Sequence, residues 1–333
     1  MILFAFASCA PVLAPRGISY GVPTVAGDAF VTRDGIRLPL RHWDAQKPQA
    51  IIVALHGMSD YSQAFDLPAP WWAAHGVSVY AYDQRGFGAA PNAGLWAGAR
   101  AMRDDLDDFV EAMRAKFPGV PVYALGESMG GSVVLTALAS AHPPRVDGVI
   151  LVAPAVWSRE DMPFIYSVVL WTTAHIVPSM HVSGEGLHIL ATNNFPVLRK
   201  LAHDPLYQHS ARVDQVYGLV NLMSEARDAP QHLTATPPIL FLYGGNDQVI
   251  PAAPTQTVAS ELGSKATVIR YPNGYHMLLR DLEGPARWAD ILAWSGKTNS
   301  ARDRQASQTE FSSGKPWQQR GASAVIPLGR MTE

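Results

Sequence analysis

The sequence predicts an α/β fold built on a mainly parallel sheet with helices on both faces. Short apolar runs alternate along the chain with segments of helical spacing, which is the pattern of repeated strand–helix units. Three such runs, Ala50–Leu55, Val77–Tyr82 and Val146–Val152, are predicted strands. The alternation stops after Pro154 and resumes at Pro238. We therefore expect one α/β core that is interrupted by an insertion.

The other elements follow from turn and periodicity signals. Residues Asp28–Trp43 alternate around an Asp-Gly pair and predict a β-hairpin. Ala101–Phe117 has helical spacing, is acidic in its first turns and ends at a Pro-Gly pair, so it predicts an amphipathic helix. Pro238–Tyr243 and Ala266–Tyr271 are the last two predicted strands.

A Gly-x-Ser-x-Gly pentapeptide, Gly126–Gly130, lies between a predicted strand that begins at Val122 and a predicted helix. A strand-to-helix turn this tight strains the serine backbone, and flanking glycines let the neighbouring backbone approach without a clashing Cβ. The hydroxyl of Ser128 is then exposed at the carboxyl edge of the sheet, at a helix N-terminus that favours developing negative charge. Ser128 is the candidate nucleophile.

A serine nucleophile needs a base and a group that orients the base. In this arrangement the acid and then the histidine follow the serine, each in a loop after a later strand. Asp247 lies in a glycine-opened loop directly after Pro238–Tyr243. His276 follows the last predicted strand, and it is the only one of the 11 histidines that does so. These two residues complete a candidate triad.

The negative charge of a tetrahedral intermediate requires preorganised N–H donors. We expect one donor to be the N–H of Met129, directly after the nucleophile. The second is the N–H of Met58, in the loop after the first apolar run. His56 beside it is interpreted as structural, and Asp83 and Arg85, at the end of another strand, as loop-shaping residues.

These motifs resemble those of α/β-hydrolases of the monoacylglycerol lipase and lysophospholipase type, a group related to the serine aminopeptidases. The resemblance spans about Asp28 to Lys297. One departure is Glu127, where members of this group often carry histidine. The segments that carry the resemblance are His56–Met58, Tyr82–Gly88, Gly126–Gly131, Asp204–Leu206, Gly244–Pro251 and Gly274–His276.

The resemblance implies an α/β-hydrolase fold with an inserted helical cap. It also implies that carboxylic esters of single-chain lipids, monoacylglycerols or lysophospholipids, are cleaved through an acyl-enzyme on Ser128. The departure at Glu127 removes no member of the triad. No cofactor or metal is expected, since the chain has no zinc-protease, P-loop or dinucleotide motif and only one cysteine.

The expected organisation has a core, a cap and two terminal segments. Residues 17–154 and 236–297 form the hydrolase core, and residues 155–235 form the cap. Residues 298–333 are polar and aperiodic and predict a mostly disordered tail. Within the cap, Phe164–Val177 is apolar nearly all round but too short to cross a bilayer. It is expected to pack as cap core on the hydrolase body, or to form an apolar lid that contacts membrane and admits acyl chains, and the two interpretations are compatible.

Residues 1–16 are a candidate remnant of a lipoprotein signal. A short apolar run ends in small residues and then in Cys9, the only cysteine of the chain. There is no basic segment before the apolar run, which a start site assigned too late would explain. Lipidation of Cys9 predicts a protein anchored to a membrane in the cell envelope. The alternative is a cytoplasmic enzyme with an apolar N-terminus.

Charge excludes one class of function. The chain has 26 Lys and Arg residues against 28 Asp and Glu residues, a net charge of −2, with no basic stripe for binding nucleic acid. Protein partners cannot be named from the sequence.

Other activities stay open from the sequence. One is a short-chain carboxylesterase. Another is a serine aminopeptidase, which would need a cap carboxylate such as Glu160, Asp161 or Glu185 in the cleft to hold an α-amine. A non-catalytic binding protein on the same fold is a further class, and the complete triad argues against it.

Overall fold

A nine-stranded sheet organises the chain in the computed structural model, which describes residues 10–18, 21–186 and 188–298 of the 333. Cys9 and the predicted tail after Thr298 lie outside these residues. The strands are β1 (Thr24–Ala26), β2 (Ala29–Val31), β3 (Arg37–Trp43), β4 (Ala50–Leu55), β5 (Val77–Tyr82), β6 (Val122–Glu127), β7 (Gly148–Val152), β8 (His181–Val182), β9 (Ala211–Arg212), β10 (Ile239–Gly244) and β11 (Ala266–Tyr271).

Eight α-helices accompany the strands in the described part of the chain. They are α1 (Pro68–Ala74), α2 (Ala99–Lys116), α3 (Met129–Leu138), α4 (Phe164–Ile176), α5 (Phe195–Ala202), α6 (Val213–Asp228), α7 (Ala252–Leu262) and α8 (Gly284–Thr298).

The large sheet has the order β1-β2-β3-β5-β4-β6-β7-β10-β11. Its six strands from β5 to β11 pair in parallel, and β1, β2 and β3 form an antiparallel extension that joins β5. The predicted hairpin over 28–43 corresponds to β2 and β3. The sheet and its helices confirm the predicted fold class.

Both faces of the sheet are buried. The alternating side chains of a single strand show this, because successive side chains point to opposite faces. In β4, Ile51 and Val53 join an apolar cluster with α2, α3, α6 and α7, while Ile52 and Ala54 join a second cluster with α1 and α8. Helices therefore cover both faces, which explains why β4 lacks polar alternation.

The insertion between β7 and β10, predicted to be a cap, contains α4, α5, α6 and the small antiparallel pair β8–β9. Helix α6 packs closely on the core: a Cβ on Gly218 would overlap the indole ring of Trp96. Helix α4 differs, because only Ala174 of its 13 residues is buried. Leu170 is half-buried against the main core, so α4 packs on the hydrolase body only in part and leaves most of its apolar surface exposed.

No helix within the described residues is both long enough and apolar enough to cross a membrane.

Candidate active site

Four loops meet at the carboxyl edge of the sheet. They follow β4, β6, β10 and β11, which run parallel within one sheet and therefore end on the same side. In open α/β sheets, ligands bind at this edge. The candidate residues identified from the sequence lie in these same four loops.

Ser128 occupies the turn from β6 into α3 with a strained backbone, φ 52° and ψ −117°. Glycines make this turn sterically feasible. A Cβ on Gly126 would overlap the Gly130 carbonyl, and a Cβ on Gly130 would overlap the carbonyl oxygen of Leu55. The Ser128 N–H donates to the Val152 carbonyl at 2.9 Å, which ties the turn to the next strand. The strain is thus held by the surrounding backbone.

The structure brings the three candidate residues into one hydrogen-bonded chain. The Nε2 atom of His276 lies 2.9 Å from Ser128 Oγ, and its Nδ1 atom lies 2.8 Å from Asp247 Oδ2. We assign the proton to Nδ1, because a carboxylate accepts and Nε2 must accept from the serine hydroxyl. Ser128 and His276 are 9% and 6% exposed. The geometry is that of a nucleophile, its base and the group that orients the base.

Asp247 is itself held by backbone donors. Its Oδ1 atom accepts the N–H groups of Val249 and Ile250 at 2.8 and 2.9 Å. The second oxygen is left for His276. The loop sequence therefore fixes the carboxylate at the end of β10 in the orientation that the imidazole needs.

The loop after β4 passes close to the nucleophile. A Cβ on Gly57 would lie 3.1 Å from the Ser128 Cβ and 3.6 Å from its Oγ, so the loop that continues into Met58 passes close to the reacting side chain. Met129 is the first residue of α3, where helical N–H groups are free to bind an anion. This placement suits both as oxyanion donors, and their role stays a prediction.

His56 has both ring nitrogens occupied away from the triad. Its Nε2 atom accepts the Gln84 N–H at 2.9 Å, and Nδ1 donates to the Gly57 carbonyl at 2.8 Å. Burial lowers the pKa of His56, which favours the neutral ring. Asp83 accepts the N–H groups of Ser62 and Ala89. These contacts fit the structural interpretation of both residues.

Three buried charged residues beside the triad were not assigned any site role from the sequence. They are Asp60 in the loop after β4, Glu127 at the last position of β6, and Arg280 in the segment after β11. Glu127 was noted only as a departure from the family pattern. Their association is purely tertiary, since the first and last are 220 residues apart.

The three cap carboxylates that an aminopeptidase could use are all exposed. Glu160 and Glu185 are exposed, and Asp161 accepts from Ser158 Oγ at 2.7 Å and lies 3.8 Å from Arg227. Within the described residues, no three His, Cys, Asp or Glu side chains are grouped as metal ligands would be.

Relatives of known name span most of the chain. A monoacylglycerol lipase of Mycolicibacterium smegmatis is 26% identical over 277 residues, which cover 80% of this chain and 95% of the relative. A phospholipase of Bacillus subtilis is 27% identical over 247 residues, covering 73% of this chain and 89% of the relative.

Solved structures share the fold. The monoacylglycerol lipase of Paleococcus ferrophilus superposes with a TM-score of 0.66 at 20% identity, covering 77% of this chain and 97% of that one. A soluble variant of the Saccharomyces cerevisiae monoglyceride lipase, in complex with a substrate analogue, superposes with a TM-score of 0.69 at 18% identity, covering 86% of this chain and 99% of that one.

A family model described as serine aminopeptidase, S33, matches residues 46–283, which include all four loops of the site. With the triad arranged as above, the chain belongs to this hydrolase family.

Proposed function

We propose that this protein is a serine hydrolase that cleaves carboxylic esters of single-chain lipids, monoacylglycerols or lysophospholipids. The observation that carries this proposal is the hydrogen-bonded chain from Ser128 through His276 to Asp247, at the edge where four catalytic loops meet. Membership of the hydrolase family and the names of the relatives support the ester-hydrolase activity.

The mechanism follows from the positions of the atoms. Ser128 Oγ attacks the ester carbonyl while His276 Nε2 takes its proton, and Asp247 stabilises the imidazolium that forms. The Met58 and Met129 N–H groups stabilise the oxyanion. The tetrahedral intermediate collapses to an acyl-enzyme, and His276 returns the proton to the departing alcohol. Water activated by His276 then releases the carboxylic acid and restores Ser128.

The substrate class rests on the cap and on the relatives. Relatives named for monoacylglycerol and phospholipid substrates match most of the chain. The exposed surface of α4 is apolar and carries no Asp, Glu, Lys or Arg, which suits acyl chains because each buried CH₂ contributes about 0.8 kcal/mol. An aminopeptidase activity is disfavoured, since the three cap carboxylates that could hold an α-amine are exposed or already paired.

Helix α4 forms the lipid-facing part of the cap in this proposal. Of the 19 large hydrophobic side chains exposed in the described residues, 13 lie between Phe164 and Leu206. Helix α4 carries no Asp, Glu, Lys or Arg. Its 13 residues measure about 20 Å, less than the ~30 Å hydrocarbon core, so it lies on a membrane surface instead of spanning it. Contiguous exposed apolar patches on proteins commonly mark interaction sites.

We also propose that Cys9 is lipidated and holds the enzyme at a membrane of the cell envelope. The support comes from the sequence alone, because Cys9 lies outside the described residues. The test is metabolic labelling with an alkyne fatty acid in a bacterial host, beside a Cys9→Ala variant. Label on the native chain alone supports the anchor, and an unlabelled native chain with full activity favours a cytoplasmic enzyme.

The deciding experiment for the activity is fatty-acid release from a monoacylglycerol and from a lysophospholipid, run beside Ser128→Ala. We expect release by the native protein and a loss of several orders of magnitude in the variant, with an unchanged melting temperature. The ratio of the two rates identifies the preferred head group. Cleavage of short esters alone would instead make this a short-chain carboxylesterase, and full activity of Ser128→Ala would refute the mechanism.

A further inference from the structure

A buried guanidinium lies in the segment that follows His276. Arg280 ends a short 3-10 turn, Leu278–Arg280, four residues after His276, and is 5% exposed. Its Nη1 atom donates to Asp60 Oδ2 at 2.5 Å, and its Nη2 atom donates to Glu127 Oε2 at 3.1 Å. Both carboxylates are 2% exposed. One side chain thus joins two carboxylates that are far apart in sequence.

The partners of Arg280 belong to the loops that carry the reacting groups. Asp60 lies two residues after Met58, in a turn closed by the Asp60 N–H on the Gly57 carbonyl. Glu127 directly precedes Ser128. Arg280 therefore connects the loop that carries Met58, the turn that carries Ser128 and the loop that carries His276. The loop that carries Asp247 is held separately, by the backbone N–H groups that donate to its carboxylate.

Stability alone explains this arrangement poorly. The cost of removing charges from water offsets most of the attraction within a buried ion pair. Burial raises the pKa of Glu127, and the Arg280 charge opposes that shift. Apolar side chains of similar volume would fill the same space without this cost. Geometry explains more, because the planar fork of arginine fixes two carboxylates in defined directions, as a lysine ammonium does not.

Small displacements of catalytic groups can have large kinetic effects in enzymes. A misplacement of about 1 Å can lower a rate about a hundredfold. Ser128 has a strained backbone that must be held from outside, and Glu127 is its neighbour on the strand side. A turn that presents Met58 likewise needs Asp60 in place. Loss of the central guanidinium would free all three loops together.

We infer that Arg280 is a positioning residue, which acts through Asp60 and Glu127 to keep Ser128, His276 and the Met58 N–H in the geometry of acyl transfer. The inference rests on the proposed serine-hydrolase function. It adds a residue outside the triad whose effect is on turnover and not on substrate binding.

The test uses Arg280→Lys and Arg280→Gln in the full chain, with the soluble ester p-nitrophenyl butyrate as substrate. Active sites are titrated with a fluorophosphonate, so that kcat refers only to reactive enzyme. We expect kcat per titrated site to fall at least about tenfold in Arg280→Lys and about a hundredfold in Arg280→Gln. KM should stay within about threefold of the native value, because the substrate is not contacted.

The chain offers a matched control. Arg85 is also buried between two carboxylates, with Nη2 at 2.7 Å from both Asp34 and Asp105. In the described structure its hydrogen bonds go to the N-terminal hairpin and to α2, outside the three loops. Arg85→Lys and Arg85→Gln should lower the melting temperature as much as the Arg280 variants do, with native kcat per titrated site. Native kcat in the Arg280 variants, or equal loss in both series, would overturn the inference.

If Arg280→Gln yields no folded protein, Asp60→Asn is used to test the inference instead. It keeps the shape but replaces a charge-assisted bond, so kcat per titrated site should fall at least about threefold at constant KM. Native kcat there would also overturn the inference. Failure of the lipid assay would not overturn the inference, because hydrolysis of the short ester tests the triad whichever lipid is preferred.

Discussion

The exposed face of helix α4 allows a quantitative prediction about lipid surfaces. We consider the double variant Phe164→Ser with Ile165→Ser. The two native side chains are 82% and 59% exposed, so neither supports the protein core. Fully burying one such side chain contributes about 1.5–3 kcal/mol, and the exposed fractions together then give about 2–4 kcal/mol on immersion in lipid. The partition constant should fall about thirtyfold or more.

The assay is sedimentation of the non-acylated protein with phosphatidylcholine vesicles. The matched control is Ile18→Ser with Val22→Ser, which removes side chains that are 70% and 82% exposed and lie outside the cap. We expect the control to partition like the native protein. Hydrolysis of monoacylglycerol within the vesicles should fall in parallel with binding of the cap variant. Native partitioning of the cap variant, or an equal fall in the control, would refute the assignment of α4 as the lipid-contacting face.

Three further predictions concern the core of the site. Asp247→Asn should lower kcat by about three to four orders of magnitude with little change in KM, as replacing the orienting acid does in serine hydrolases, and steady-state kinetics on a soluble ester would show it. Gly130→Ala should cost several kcal/mol of unfolding free energy or prevent folding, because its Cβ would overlap the Leu55 carbonyl; a melting temperature near the native value would contradict the close packing. Burial raises the pKa of Glu127, so the folded protein keeps that proton to higher pH than the unfolded chain and loses stability as pH rises through the folded-state pKa. Glu127→Gln lacks this loss, so its melting temperature relative to the native protein should increase as the pH rises above the ordinary pKa of glutamate, and a difference that stays constant with pH would show that Glu127 does not titrate in the folded protein.

The fold and the arrangement of the three candidate residues could be predicted from the sequence because both depend on local sequence patterns. Apolar runs with glycine-opened ends predicted strands β4, β6, β10 and β11, and parallel strands must end at a common edge. Order along the chain then assigned Asp247 and His276. The helix predicted over 101–117 was found at Ala99–Lys116.

Two features could not be predicted, for different physical reasons. Arg280 and Asp60 interact across 220 residues, and neither carries a local signal of its partner. Helix α4 is apolar nearly all round, so its periodicity does not distinguish a buried helix from an exposed one. Only its packing in three dimensions shows that a single residue, Ala174, is buried.

The sparse packing of α4 has a consequence for how substrate range can change over evolution. A position in a packed core tolerates few substitutions, whereas an exposed position usually changes stability by less than about 0.5 kcal/mol. Twelve of the 13 positions in α4 are not buried, while the reacting groups are held by the sheet edge and its loops. Mutations can therefore accumulate in α4 with little cost to folding or to the chemistry. Under the proposed role of α4 as the lipid-contacting face, such changes would alter which lipids the enzyme reaches without altering its catalytic residues.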